Sequence, residues 1–149
     1  MLLKNVTYLN EDFEVVKGHL LIKDGRISVL TSPCDHNEVV DCSDYVIIPG
    51  FYNAHFHGYS ILAKGIARDM KIEDWCNDTA QGKIQTKFFE NIDKLSKEEY
   101  QTILMKAYIE MVKNGIVFAS ESEPSNWPEA AEEALTKVGL KGFVDCYNE

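Results

Sequence analysis

The sequence lacks the features that place a protein in a membrane, on nucleic acid or in a disulfide scaffold. It has no run of about 18 apolar residues, the length a spanning helix needs. Its start, MLLKNVTYLNEDFE, has neither a long apolar stretch nor a small-residue cleavage site, so no signal peptide is expected. Basic residues are in the minority. Lys and Arg number 15 against 24 Asp and Glu, a formal charge of −9, and no Lys/Arg run offsets it locally. Such a surface repels phosphate backbones and anionic headgroups, which argues against nucleic acid and membranes as partners. The cysteines at 34, 42, 76 and 146 form no Cys-x-x-Cys pair and no disulfide-like spacing. They are expected to be reduced thiols in a cytoplasmic protein, Cys76 and Cys146 as small buried residues. There is no internal repeat and no low-complexity segment. At 149 residues the chain is long enough to bury a core, with room for one domain or one and a half.

What is present begins as β-structure. LLKNVTYL is rich in strand formers, and HLLIKDGRISVL places two apolar runs around Asp24-Gly25, a strong hairpin signal. EVVD and YVIIP read as two further short strands, with TSPCDHN as a turn-rich loop before them. Short strands at this pitch predict a small β-sandwich or barrel over residues 1–49.

The pattern changes after Pro49-Gly50. FYNAHF continues as strand, and then the period shifts toward helix. Ser96 and Glu99 form a capping box, Tyr100, Ile103, Leu104, Ala107 and Met111 recur on one helical face, and Lys113-Asn114-Gly115 is a basic last turn with a glycine stop. IVFASE then reads as a buried strand. SNWPEAAEEALTKVG is a second helix, capped by Ser125 or Asn126, with Pro128 in its first turn and Gly139 as its stop. LKGFVDC is another buried strand. Residues 50–149 therefore read β, α, β, α, β, which predicts parallel strands with helices over both faces.

Within this frame, VIIPGFYNAHFHGYS places two of the four histidines one residue apart. Residues i and i+2 of a strand point the same way, so His55 and His57 project together, close enough to share a metal ion, while Phe56 turns to the other face. Imidazole is the commonest metal ligand among side chains titrating near neutrality, and barrel enzymes keep their chemistry at the C-terminal ends of their strands.

These stretches are recognisable. LLIKDGRI followed by VIIPGFYNAHFHG resembles the N-terminal region of the metal-dependent amidohydrolase superfamily. ILAKGIARDMKIEDWC, MVKNGIVFASES and EAAEEALTKVGLKGFVD resemble, in order, the following segments of its deaminase and chlorohydrolase branch. That branch acts on cytosine, guanine, adenosine-type and triazine compounds. The resemblance implies an α/β chain made of an N-terminal β-sandwich segment and the first three or so β/α units of an incomplete TIM (β/α)8 barrel. It also implies a divalent metal held by His55 and His57, zinc first and iron second, and a metal-activated water that hydrolyses a C–N or C–Cl bond of a nitrogen heterocycle.

The family takes further ligands and its proton shuttle from later strands, as two histidines and an aspartate, and no histidine follows His57 here. A whole barrel takes roughly 250 residues, whereas about 100 follow Pro49-Gly50. No catalytic residue is therefore assigned, the isolated chain is expected to be inactive, and its open sheet edge invites self-association or a complementing chain. Two other readings stand beside this one. In the first the chain is a degenerate, non-catalytic remnant or subunit. In the second it is a small metal module in which Glu121 or Asp145 joins the histidines.

Glu121, Glu123, Asp145 and Glu149 all fall at strand ends on the histidine side, where they are either ligands or solvated loop acids. Tyr59, Ser60 and Trp75 are candidates for the mouth or wall of a pocket. Arg68-Asp69 reads as a structural pair or as exposed, His19 as the start of a hairpin strand and His36 as a turn residue. The substrate-binding residues and the substrate itself stay open.

Overall fold

The structure is a computed structural model that describes residues 1–66, 68–71, 73–74, 80–123 and 126–146. The chain divides into two compact units, Met1–Pro49 and Gly50–Glu149. No helix among the described residues is long and apolar enough to cross a membrane.

Five strands build the first unit: β1 (Leu2–Leu9), β2 (Val15–Lys23), β3 (Arg26–Leu30), β4 (Val39–Asp41) and β5 (Val46–Ile47). β1 pairs antiparallel with β2 on one edge and parallel with β4 and then β5 on the other. The β2–β3 hairpin turns on Asp24 and Gly25, at φ 52° and 71°. Two successive positive φ values are what a two-residue type I′ turn requires, and Asp-Gly tolerates them. Leu3, Val6, Leu20 and Cys42 form a small buried cluster. The unit is thus one five-stranded sheet and not the sandwich or barrel that strand pitch suggested. All its short strands join edge to edge around β1, which uses both of its edges, so no second layer is built from them. His19 lies inside β2, not at its start, and its Nδ1 accepts from the Asn5 backbone N–H at 3.2 Å. His36 Nδ1 accepts from the Glu38 N–H, closing the turn in which it sits.

The second unit holds β6 (Phe51–Phe56), β7 (Ile116–Glu123) and β8 (Lys141–Cys146) as a parallel sheet in that order. Between them run a 3-10 segment (Gly58–Ala63) and the helices α1 (Ala80–Ile92), α2 (Lys97–Lys113) and α3 (Pro128–Val138). α2 starts on the expected capping box, in which Ser96 Oγ accepts from the Glu99 N–H and Glu99 from the Ser96 N–H, and it stops at Asn114 before Gly115 at φ 79°. α3 is capped by Trp127, not by Asn126 (Ser125 lies outside the described residues). Pro128 opens the helix and keeps the residue before it out of helical geometry, at φ −128° and ψ 59°. α1 has no acid in its first turn, and the sequence reading did not delimit it.

The core lies on one face of this sheet. Tyr100, Leu104, Ala107, Tyr108 and Met111 of α2 meet Ala130, Ala131, Ala134 and Leu135 of α3 over Ala119 of β7. The small residues of α3 permit close approach, and Tyr108 takes a fully buried place while Ile103 is only half-buried. The opposite face differs from the expectation of helices on both sides. There Tyr52, Phe118 and Phe143 make a row of rings with centroids 5.3 and 5.8 Å apart, and Tyr52 and Phe143 are 75% and 56% exposed. An apolar strand signals that both faces prefer cover; it does not say that a covering element lies in the same stretch of chain.

Candidate metal centre

β6 delivers the two histidines through an irregularity. Asn53 pairs with Ala119 and Phe56 with Glu121, so β6 takes three steps where β7 takes two. The extra residue is a bulge, a device that re-aims side chains where it interrupts a ladder. His55 falls in this bulge. His57 follows the last strand residue in extended geometry, φ −124° and ψ 95°, and caps the 3-10 segment. The rings meet edge to face, centroids 4.7 Å apart at 88°. His55 is exposed and His57 half-buried.

One residue of β7 engages both rings. His57 Nδ1 lies 2.7 Å from the Ser122 carbonyl oxygen. A carbonyl only accepts, so Nδ1 carries the hydrogen and the lone pair of the neutral ring is left on Nε2. His55 Nδ1 lies 3.2 Å from Ser122 Oγ. Imidazole ligands are commonly held this way, the non-ligating nitrogen on a hydrogen-bond partner. The pair therefore fits a divalent metal as two donors. A catalytic zinc wants three protein ligands, and among the described residues no third His, Cys, Asp or Glu joins them in a group that could hold an ion.

Glu121 is neither a ligand nor a solvated loop acid. It pairs in register with Phe56 and points to the helix-covered face, where it is fully buried. Its Oε1 accepts from the Gly58 N–H at 2.7 Å and its Oε2 from the Tyr108 hydroxyl at 3.0 Å. Alternation explains the reversal: Glu121 and Ser122 are consecutive, so only one of them can face the histidines. Gly58 has no room for a side chain, since a Cβ there would stand 2.5 Å from Leu104 Cδ2 and 3.0 Å from Glu121 Oε2.

Asp145 sits beside Ser122 in the register, exposed. Glu123 ends β7. Glu149, Trp75 and Cys76 lie outside the described residues. Tyr59 is buried, its ring 5.6 Å from that of His57 and stacked toward Phe88 and Phe89, while Ser60 is exposed. Both line a cleft of about 430 Å³ beside His57, with Phe88 and Phe89 behind. Arg68 and Asp69 are both exposed. Cys34 is exposed and Cys42 buried, both as free thiols. Sequence reasoning missed Ser122. The one signal for it was polar Ser-Glu-Ser at the end of an apolar strand, which is unusual composition for a buried position.

Comparison with known proteins finds sequence relatives and a shared fold. No family model matches the chain. The 5'-deoxyadenosine deaminase of Methanobrevibacter smithii is 35% identical over 97% of this chain and 34% of its own length. The chain is therefore related in sequence to part of a named deaminase. The 5-methylthioadenosine/S-adenosylhomocysteine deaminase of Pyrococcus furiosus is 26% identical over 97% of the chain and 33% of its own length. The chain thus spans about a third of the curated relatives it matches, corresponding to their N-terminal part. A triazine hydrolase from Arthrobacter aurescens superposes with a TM-score of 0.78 over 96% of the chain and 34% of its own, at 17% identity. The zinc complex of the atrazine chlorohydrolase from the TC1 strain of that species gives 0.76 over 96% and 34%, at 16% identity. The chain shares its α/β architecture with the N-terminal part of those proteins.

Proposed function

We propose that the chain is the histidine-donating part of a metal-dependent hydrolase that deaminates an adenosine-type heterocycle, built as the first three or so β/α units of a barrel. The observation that carries this reading is the His55/His57 pair, each ring held through Nδ1 at Ser122, in a chain related to named deaminases. Both rings would hold a divalent ion, zinc before iron, through the nitrogen that Ser122 leaves unengaged. Such an ion supplies Lewis acidity that makes bound water nucleophilic near neutral pH.

The chain's own residues do three things. His55 and His57 donate from one edge of β6, the bulge and the Gly58 turn fix where they point, and Tyr59, Phe88 and Phe89 give the adjoining cleft an apolar wall suited to a heterocycle. The remaining ligands and the proton shuttle come from elsewhere, so the chain alone has no turnover. Its free thiols agree with a cytoplasmic home.

A second reading rests on the open ring row and on β6 and β8, each paired on one side only in the sheet. In it the chain is a non-catalytic subunit that pairs with another through these edges.

Ammonia release from 5'-deoxyadenosine and 5-methylthioadenosine separates the two. The chain alone is expected to give none. Mixed with a polypeptide carrying the remaining two thirds of the Methanobrevibacter relative, and with zinc, it is expected to deaminate, and His55→Ala or His57→Ala abolishes this. Robust turnover by the chain alone contradicts the proposal. A stable, zinc-loaded but inactive complex favours the subunit reading.

A further inference from the structure

We propose that Ser122, backed by Glu121, is the positioning element that sets the ring state and aim of both histidines, an inference that rests on the metal reading above. The bulge creates the need. Between Asn53 and Phe56 the β6–β7 ladder loses its regular register and resumes at Phe56–Glu121, so the ladder alone does not set the aim of His55 and His57. Three bonds from consecutive residues of β7 supplement the interrupted ladder. The Ser122 carbonyl takes the His57 Nδ1 hydrogen at 2.7 Å, Ser122 Oγ meets His55 Nδ1 at 3.2 Å, and Glu121 takes the Gly58 N–H at 2.7 Å.

The alternation of a strand puts these bonds on opposite faces. Ser122 works on the histidine side. Glu121 works from the core side, where the Tyr108 hydroxyl holds its other oxygen at 3.0 Å and both groups are fully buried. The end of β6 is therefore clamped from above and below by one dipeptide. The serine is 5% exposed and the glutamate fully buried, so the β7 side of the clamp is largely withdrawn from bulk water. The roles are unequal. His57 is set by a backbone carbonyl, which side-chain substitution cannot remove. His55 is set by a hydroxyl, which substitution can. Orientation by such outer partners is worth roughly 10–100-fold in metal affinity.

The test uses the full chain, first free of metal and at alkaline pH, where imidazoles are neutral. Long-range proton–nitrogen NMR reads which ring nitrogen carries the hydrogen, and zinc affinity follows from competition with a chromophoric chelator. His57 is expected to carry its hydrogen on Nδ1. Ser122→Ala should shift the ring signals of His55, leave the His57 tautomer unchanged and weaken zinc by about tenfold. Ser122→Thr, which keeps the hydroxyl, should restore both. Glu121→Gln retains an acceptor for Gly58 and should keep the His57 state. Glu121→Leu should lose that state, and if this variant fails to fold, the Ser122 pair decides the matter.

His57 hydrogenated on Nε2, or a folded Ser122→Ala chain with His55 signals and zinc affinity unchanged, would overturn the proposal. A chain with the stated ring states that takes no zinc overturns the metal reading while upholding the positioning role.

Discussion

The two faces of the β6–β7–β8 sheet are finished to different degrees. On the helix side the large groups of the core are enclosed. Leu104 and Tyr108 are fully buried, Ala119 is covered, and even a carboxyl at position 121 is enclosed with two donors on it. On the other side Tyr52 and Phe143 stand largely in solvent around a half-buried Phe118, on the face that carries the pair of histidines. The first face supplies stability, and the second carries the proposed metal ligands. The site's precision is borrowed across the sheet, because Glu121 on the closed face holds the turn that carries His57 on the open one.

This contrast can be broken experimentally. Leu104→Ala, on the closed face, should cost about 2–5 kcal/mol in denaturant unfolding. Tyr108→Phe keeps the ring but takes one donor from the buried Glu121 carboxyl, and should cost about 1–3 kcal/mol by the same measurement. Phe143→Ser, on the open face, should move stability by no more than about 0.5 kcal/mol while reducing self-association in sedimentation. A Phe143 cost matching that of Leu104 would mean that the open face is covered in solution.

The smallest effect concerns the exposed Lys97–Glu133 pair, 2.8 Å apart between α2 and α3. The Lys97 hydrogen bond, then that of Gln101, holds the Glu133 carboxyl below its usual range, and the Glu133 bond holds the Lys97 ammonium above its own. The glutamate's contribution is present above the ordinary glutamate range and fades as pH falls through the lowered value. The lysine's is present below the ordinary lysine range and fades as pH rises through the raised value. Stability against pH should therefore lose a little at both extremes, and Glu133→Gln should flatten both limbs, modestly for groups so exposed to solvent.

Much of this arrangement is legible in the residues, for local reasons. Asp24-Gly25 announces its hairpin because few residue pairs accept two positive φ values, and Ser96 with Glu99 announces a helix start because it satisfies specific donors. The close spacing of His55 and His57 in the sequence is matched by ring centroids 4.7 Å apart. The remainder depends on tertiary context. A bulge adds one residue without any composition signal, so the side that Glu121 faces could not be counted from the histidines. Its acidity suggested solvent, whereas two donors from α2 and the Gly58 turn make burial tolerable. The single layer of the first unit was equally hidden, since strand pitch reports hairpins and not how many sheets they form.

The most direct test of the central claim is equilibrium zinc binding to the purified chain beside a His55→Ala/His57→Ala variant, measured by competition with a chromophoric chelator. One weakly held zinc per chain is expected, as two donors allow, and it should be lost in the double variant. Binding that survives removal of both histidines, or no binding to the folded parent chain, would contradict it.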